Sequence, residues 1–268
     1  MKITVLTDNN SSGDLEGEWG LSFWIETESG KILLDTGATS LFHENARKLG
    51  IRIEEADCAV LSHAHYDHCG GLEKFFEVSS APAYLRAGSK ENCYHRKEGV
   101  IGYIGIPHGL LERYADRIIP VHTVTEILPK IRIVPHTPLQ TVRSTANPSL
   151  LVLKKGEYKP DCFDHEQSLV AESAGGLVIF SSCSHTGPSN ITADVRKAFP
   201  GRPIRAFIGG LHVYRQTPEQ VRSLADDIRA IGIEKLVTGH CTGESFVYLK
   251  EKLGDAAEQF YAGMVIEF

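Results

Sequence analysis

The stretch LSHAHYDHCGG, Leu61 to Gly71, crowds three histidines and an aspartate into the six positions from His63 to His68, in a chain with twelve histidines in all. It follows the short apolar run CAVLS, which reads as the end of a strand buried on both faces. Side chains alternate along a strand, so His63 and His65 leave its end pointing the same way. Two neutral imidazoles so placed can grip one metal ion. Asp67 and His68 follow where the chain turns toward a helix at Gly70-Gly71, and can approach a second ion from another side. Imidazole with carboxylate suits Zn²⁺, Fe²⁺ or Mn²⁺ rather than Ca²⁺. The bland alternative, a polar loop whose histidines cap the next helix, accounts for one histidine but not for this density after an apolar strand.

The rest of the chain supplies strands and covering helices. KITVLTD alternates, LSFWIETESGKILLDTG reads as two strands around a Glu28-Ser29-Gly30 turn, and APAYLRA is a further strand. SLFHENARKLG reads as a helix with Ser40 as N-cap and Gly50 as its stop, and GGLEKFFEV as a shorter one. From about Gly88 to Ser144 periodicity fades and Gly, Pro, aromatic and basic residues gather, as in a substrate-facing insertion. Strands resume in SLLVLKKGEY, QSLVAESAGGLVIFSS, IRAFIGG and EKLVTGH. Two helices, ITADVRKAF and TPEQVRSLADDIRAIG, sit among them, the second capped by Thr217 with Pro218 behind it and Gly232 at its end. Two strand-rich halves with helices predict an α/β fold of two mixed sheets packed face to face between helical layers. With no linker, repeat or low-complexity run, residues 1–268 read as a single domain carrying an insertion at about 86–148.

Three more histidines follow strand ends. His185 and His240 can each be a metal ligand or a hydrogen-bonded turn histidine. His212, after Gly209-Gly210, can bind metal, donate to a substrate oxygen or satisfy the turn; substrate contact ranks first. Asp164, His165 and Glu166 compete for one place at the site, and the sequence does not choose among them. Cys183 and Cys241 adjoin the histidines His185 and His240 and read as small buried fillers rather than nucleophiles.

These motifs resemble the metallo-β-lactamase superfamily. Its H-x-H-x-D-H signature is met by His63, His65, Asp67 and His68, and LLDTG places Asp35 where the family keeps an aspartate supporting the metal site from behind. GGLVIFSSCSH matches a hairpin ending in a site loop, and His240 in EKLVTGH matches the last ligand. The resemblance implies an αββα sandwich holding two divalent ions, zinc first and iron or manganese next, on His63, His65, Asp67, His68, His185 and His240. It also departs from the pattern: where many members end the hairpin strand in Gly-Asp, the aspartate bridging both metals, this chain has Ser182-Cys183-Ser184-His185, so His185 is assigned as a ligand in place of the missing carboxylate. Likewise Asp164-His165-Glu166-Gln167 replaces a ligand-bearing Gly-His-Thr-Pro-Gly. CSHTGPSNI, GGLHV, GHCTGE and TDNN resemble a subgroup of metal-dependent hydrolases and dihydropterin/ribofuranosyl-aminobenzene 5′-phosphate synthase homologues.

A metal pair acidifies a shared water to a pKa of about 7 and polarises the electrophile, so the expected activity is hydrolysis of a small anionic, phosphorylated or ester-containing substrate, pterin-like in one version. Asp67 and His212 are the expected catalytic residues. Arg86, Lys90, Tyr94, His95, Arg96 and Lys97 in the insertion suit an anionic, partly planar molecule, and Asp8 and Asn9, closing the first strand, reach toward the same pocket. The alternatives are a synthase joining a dihydropterin alkyl diphosphate to a ribofuranosyl-aminobenzene phosphate, and a metal-dependent sensor without turnover. A net charge of −6 argues against nucleic acid as partner. The chain shows no signal segment or membrane-spanning run and its six cysteines form no C-x-x-C pair, which predicts a cytoplasmic protein with reduced thiols and no membrane partner. The sequence leaves its oligomeric state open.

Overall fold

The computed structural model describes residues 1–139 and 149–268. Two seven-stranded mixed sheets form its centre. The first runs, edge to edge, Val265–Glu267, Lys2–Thr7, Ser22–Thr27, Gly30–Leu34, Cys58–Val60, Ala83–Arg86 and Ile118–Val121. The second runs Ala257–Gln259, Ile233–Thr238, Ile204–Ile208, Gly176–Phe180, Gln167–Ser173, Ile131–Pro135 and Thr125–Leu128. Each sheet is antiparallel on one side and parallel on the other.

Strand alternation sorts the apolar side chains into three layers. Ile3, Val5, Phe23, Ile25, Ile32 and Leu34 meet Ile131, Ile133, Leu169, Val178 and Phe180 between the sheets. Leu6, Trp24 and Leu33 fall on the other face and pack with Phe42, Phe75 and Phe76 of the helices Leu41–Lys48 and Leu72–Val78. On the far side, Val170, Leu177, Ile179 and Phe207 pack with Ile191 and Val195 of the helix Pro188–Ala198 and with Val221, Ala225 and Ile228 of Pro218–Ile231. The layer order is therefore helix, sheet, sheet, helix. Burying each of the large residues contributes about 1.5–3 kcal/mol.

The expected caps are partly met. Thr217 and Gln220 form a reciprocal capping box, and Gly232 ends that helix at φ +81°. Ser40 does not cap its helix through its side chain; its hydroxyl donates to Glu44, and the Leu41 amide is taken by Thr39 Oγ1.

The segment read as an insertion at 86–148 is more regular than its composition suggests. Ile118–Val121 completes the first sheet, and Thr125–Leu128 and Ile131–Pro135 belong to the second. The added element is a separate four-stranded antiparallel sheet, Glu157–Pro160, Leu150–Lys154, Cys93–Lys97 and Val100–Tyr103, two of whose strands come from within the region and two from just after it. These strands are short, and several are only half-buried, which is why no period stood out. Residues 140–148 of the expected insertion lie outside the described residues. Among the described residues no helix is long and apolar enough to cross a membrane.

Candidate metal centre

The histidines converge because strands of both sheets deliver them from their C-terminal ends, where open α/β sheets place their sites. Asp35 follows Gly30–Leu34, the residues 62–68 follow Cys58–Val60, Cys183 and His185 follow Gly176–Phe180, His212 follows Ile204–Ile208 and His240 follows Ile233–Thr238. Gln167 stitches the two sheets together at this end. Its amide donates to Ser62 O, and its side chain donates to Leu61 O and Tyr84 O. Four residues of the loops hold a left-handed backbone, Asp35 at φ +58°, Ser184 at +54°, His212 at +50° and His240 at +49°. Each such non-glycine position costs about 1–3 kcal/mol and persists only where the surroundings impose it.

Two triads result. In the first, the rings of His63, His65 and His185 lie 4.7–4.8 Å apart, with His63 Nε2 facing His185 Nε2 at 3.2 Å. In the second, Asp67 Oδ2 lies 3.4 Å from His240 Nε2 and 3.9 Å from His68 Nε2. All six residues are buried.

Hydrogen bonds behind the rings set their tautomers. Asp35 accepts from His68 Nδ1 at 2.8 Å, from the Ser62 amide at 2.7 Å and from the Ser62 hydroxyl at 2.7 Å. Having given its proton to Asp35, the Ser62 hydroxyl accepts from His63 Nδ1 at 2.9 Å. His240 Nδ1 donates to Asn9 Oδ1 at 3.1 Å, while Asn9 Nδ2 donates back to His240 O and Asp8 Oδ1 accepts the His240 amide. Three imidazoles thus hold a proton outward on Nδ1 and turn Nε2 inward, the orientation a metal ligand requires.

The electrostatics agree. Burial, then the neighbouring imidazoles, push His63 and His185 well below the usual histidine range, which keeps them neutral. Burial also opposes charge on His240, but Cys241, Asp67 and Asp8 outweigh it and push it up to about 9. A divalent cation replacing that proton answers the same negative charges. Burial raises Asp67 while His68, His240 and His65 lower it, and the net effect keeps it an anion well below the usual carboxylate range. Buried His240 Nε2, His65 Nε2 and His185 Nδ1 have no hydrogen-bond partner within the chain, a costly state for polar atoms that a bound ion or its waters relieves. The residues present therefore fit divalent metal, with His63, His65, Asp67, His68, His185 and His240 as the side chains that would hold it.

Removing Asp35 tests this support. Asp35→Ala should leave His68 free to turn and weaken binding of one ion about 10–100-fold, measured by competition with a chromophoric chelator.

Of the three competing residues, Asp164 is half-exposed and pairs with Lys154 at 3.0 Å. His165 accepts the Ala64 amide at Nδ1 and faces Asp161 at 3.0 Å and Cys93 through Nε2, in a buried group with His65 that could itself hold an ion. Glu166 accepts from the His185 and Thr186 amides and the Thr186 hydroxyl, pinning the loop that presents His185.

A cavity of about 370 Å³ reaches one residue of each triad, His65 and Asp67. His65, Asp67 and His212 form part of its floor, and His95, Arg96, Lys97 and Arg215 supply its basic wall. Neither ring nitrogen of His212 has a partner within the chain, and its ring stands 4.4 Å from that of His185. Several residues read as substrate contacts lie elsewhere. Asp8 is fully buried and serves His240 and Asn10; Asn9 serves His240; neither lines the cavity. Tyr94 packs against Tyr103 and Tyr158, and Arg86 donates to the carbonyls of Val121 and His122. The Gly209-Gly210 pair serves packing rather than a ligand, since a Cβ on Gly209 would meet Ser181 O at 2.0 Å and one on Gly210 would meet Cys241 Sγ at 2.5 Å.

The aromatic surfaces come instead from Trp19, Tyr66 and Tyr214, the first two about two-fifths exposed. Trp19 also donates from Nε1 to Asp67 Oδ2 at 3.0 Å. Sequence reasoning passed over them because each is a lone aromatic in a loop or short turn with no spacing to mark it. The reading of Cys183 as a small buried filler also needs correcting. That side chain is no inert filler: its sulfur lies 3.2 Å from His68 Nε2 and 3.3 Å from Cys241 Sγ, among the histidines of both triads.

With this fold and this site, the chain belongs to the metallo-β-lactamase superfamily, whose family model matches residues 20–159, just over half its length. It is 29% identical to the 7,8-dihydropterin-6-methyl-4-(β-D-ribofuranosyl)-aminobenzene-5′-phosphate synthase of Methanocaldococcus jannaschii, over 93% of this chain and 90% of that one. It is also similar to the crystal structure of Tm1679, a metal-dependent hydrolase of the β-lactamase superfamily, with a TM-score of 0.85 and 29% identity over 100% of this chain and 99% of that one. The anti-Pycsar protein Apyc1 of Paenibacillus harenae is 28% identical over 65% of this chain and 73% of its own.

Proposed function

We propose that the protein is a metal-dependent hydrolase of a small anionic substrate, a phosphate ester with a planar portion being the form the cavity suits best. The observation that carries this reading is the hydrogen bonding behind three buried imidazoles, which turns the Nε2 atoms of His68 and His240 toward Asp67 and that of His63 toward His185. Divalent ions bound there would polarise a phosphoryl or acyl group and acidify water.

The chain's own residues supply the remainder. The Asp67 carboxylate, held by Trp19, orients the attacking water. His212, in reach of the cavity and without a partner, protonates the departing oxygen. Arg96, Lys97 and Arg215 attract the anion, and Trp19 and Tyr214, packed edge to face with ring centres 5.4 Å apart, offer a surface for a planar group. Arg96→Ala should raise KM about tenfold with kcat nearly unchanged, as removal of uniform binding requires, read by steady-state kinetics.

The synthase reading is favoured by one observation, the similarity to the Methanocaldococcus enzyme along almost its full length. A single experiment separates the two. The zinc- or iron-loaded protein is incubated in H₂¹⁸O with individual phosphomonoesters, phosphodiesters and carboxylic esters. Hydrolysis with ¹⁸O entering the released acid supports the hydrolase. Silence toward every single ester, with condensation when a dihydropterin alkyl diphosphate and a ribofuranosyl-aminobenzene phosphate are supplied together, replaces it with the synthase.

A further inference from the structure

Cys183 stands at the junction of the two triads. Its sulfur lies within 4.8 Å of the ligand nitrogens of His63 and His185, and also within 4.8 Å of those of His68 and His240. Among the described residues it is the one side chain common to both of those groups. It is 2% exposed, and its polar surroundings differ from those of a buried thiol packed among apolar carbons. The loop that presents it is firmly held. Ser184 takes a left-handed backbone, its hydroxyl donates to Gly210 O at 2.8 Å, and Glu166 pins the next two amides.

We propose that Cys183 bridges the two metal ions as a thiolate. The inference rests on the metal reading of the site and adds a ligand to it. Ligation through sulfur would release the thiol proton to solvent as the ions enter. A soft thiolate shared with imidazoles selects Zn²⁺ or Fe²⁺ and disfavours Mn²⁺ and Mg²⁺. Cys241 has a different part. Its sulfur accepts the His212 amide at 3.2 Å, which ties together the loops carrying His212 and His240.

Cobalt reports the bridge without reference to turnover. Metal-stripped protein is titrated with Co²⁺ while near-ultraviolet thiolate-to-cobalt charge-transfer absorption and bound cobalt are recorded together. The wild type and Cys241→Ser should show the band with two ions bound. Cys183→Asp should bind two ions without the band, and Cys183→Ser should lose the band and bind one ion at least about tenfold more weakly. A band that survives in Cys183→Asp overturns the proposal, as does a wild type that binds two cobalt ions without one; the second result leaves the proposed function standing. A wild type that binds no cobalt overturns both.

Discussion

Asp67→Ala should lower kcat about a thousandfold on any ester the protein hydrolyses, with KM changing far less. Asp67 is the carboxylate nearest His68 and His240, and Trp19 fixes its orientation toward the cavity. Loss of a positioned acid–base group costs about 10²–10⁴-fold, and loss of an interaction felt mainly in the transition state appears in kcat rather than KM. Steady-state kinetics on chromogenic phosphate and carboxylic esters, with metal content measured on the same preparation, would check it. A protein that only senses a ligand behaves otherwise: the variant would keep its binding and its effect, and the wild type would show no turnover to lose.

The second large effect is expected from chelation. Stripping the ions with a strong chelator should abolish turnover and lower the melting temperature, both restored by zinc or iron. An ion present at about a hundred times its Kd stabilises the folded state by about 2.7 kcal/mol, and for a chain of this size that corresponds to a fall of about 5–10 °C. The buried Nε2 atoms of His65 and His240, which lack hydrogen-bond partners, are the source of the effect. Scanning calorimetry with and without chelator measures it, and an unchanged melting temperature would mean that the site stands on its internal hydrogen bonds alone.

The fold was legible where burial imposes a period. The alternation of Ile3 and Val5 against Leu6, the apolar run before His63, and the Thr217 to Gly232 helix with its caps all read correctly because each responds to local rules of strand, core and cap. The region from 86 to 148 did not, because its short half-buried strands take their order from partners far away in the chain, as Ile131–Pro135 does from Gln167–Ser173. The same contrast holds at the site. His63, His65, Asp67 and His68 announce themselves by spacing, and Asp35, His185 and His240 by their places after strands. Asp8 and Asn9 were rightly placed near the site but wrongly faced, since a strand's end does not reveal which of two neighbours lies behind a ring. Cys183 and Trp19 become visible only when two sheets meet, for their meaning lies in atoms more than forty positions distant.

Elemental analysis of protein purified without a metal-affinity tag, set beside His185→Ala, tests the account most directly. His185 closes the first triad from the opposite sheet, with Nε2 3.2 Å from His63 Nε2, and its ring stacks on Phe163 rather than holding any strand in place. The account predicts about two ions per wild-type chain and one in the variant. One ion or none in both proteins, unchanged by the substitution, would contradict it.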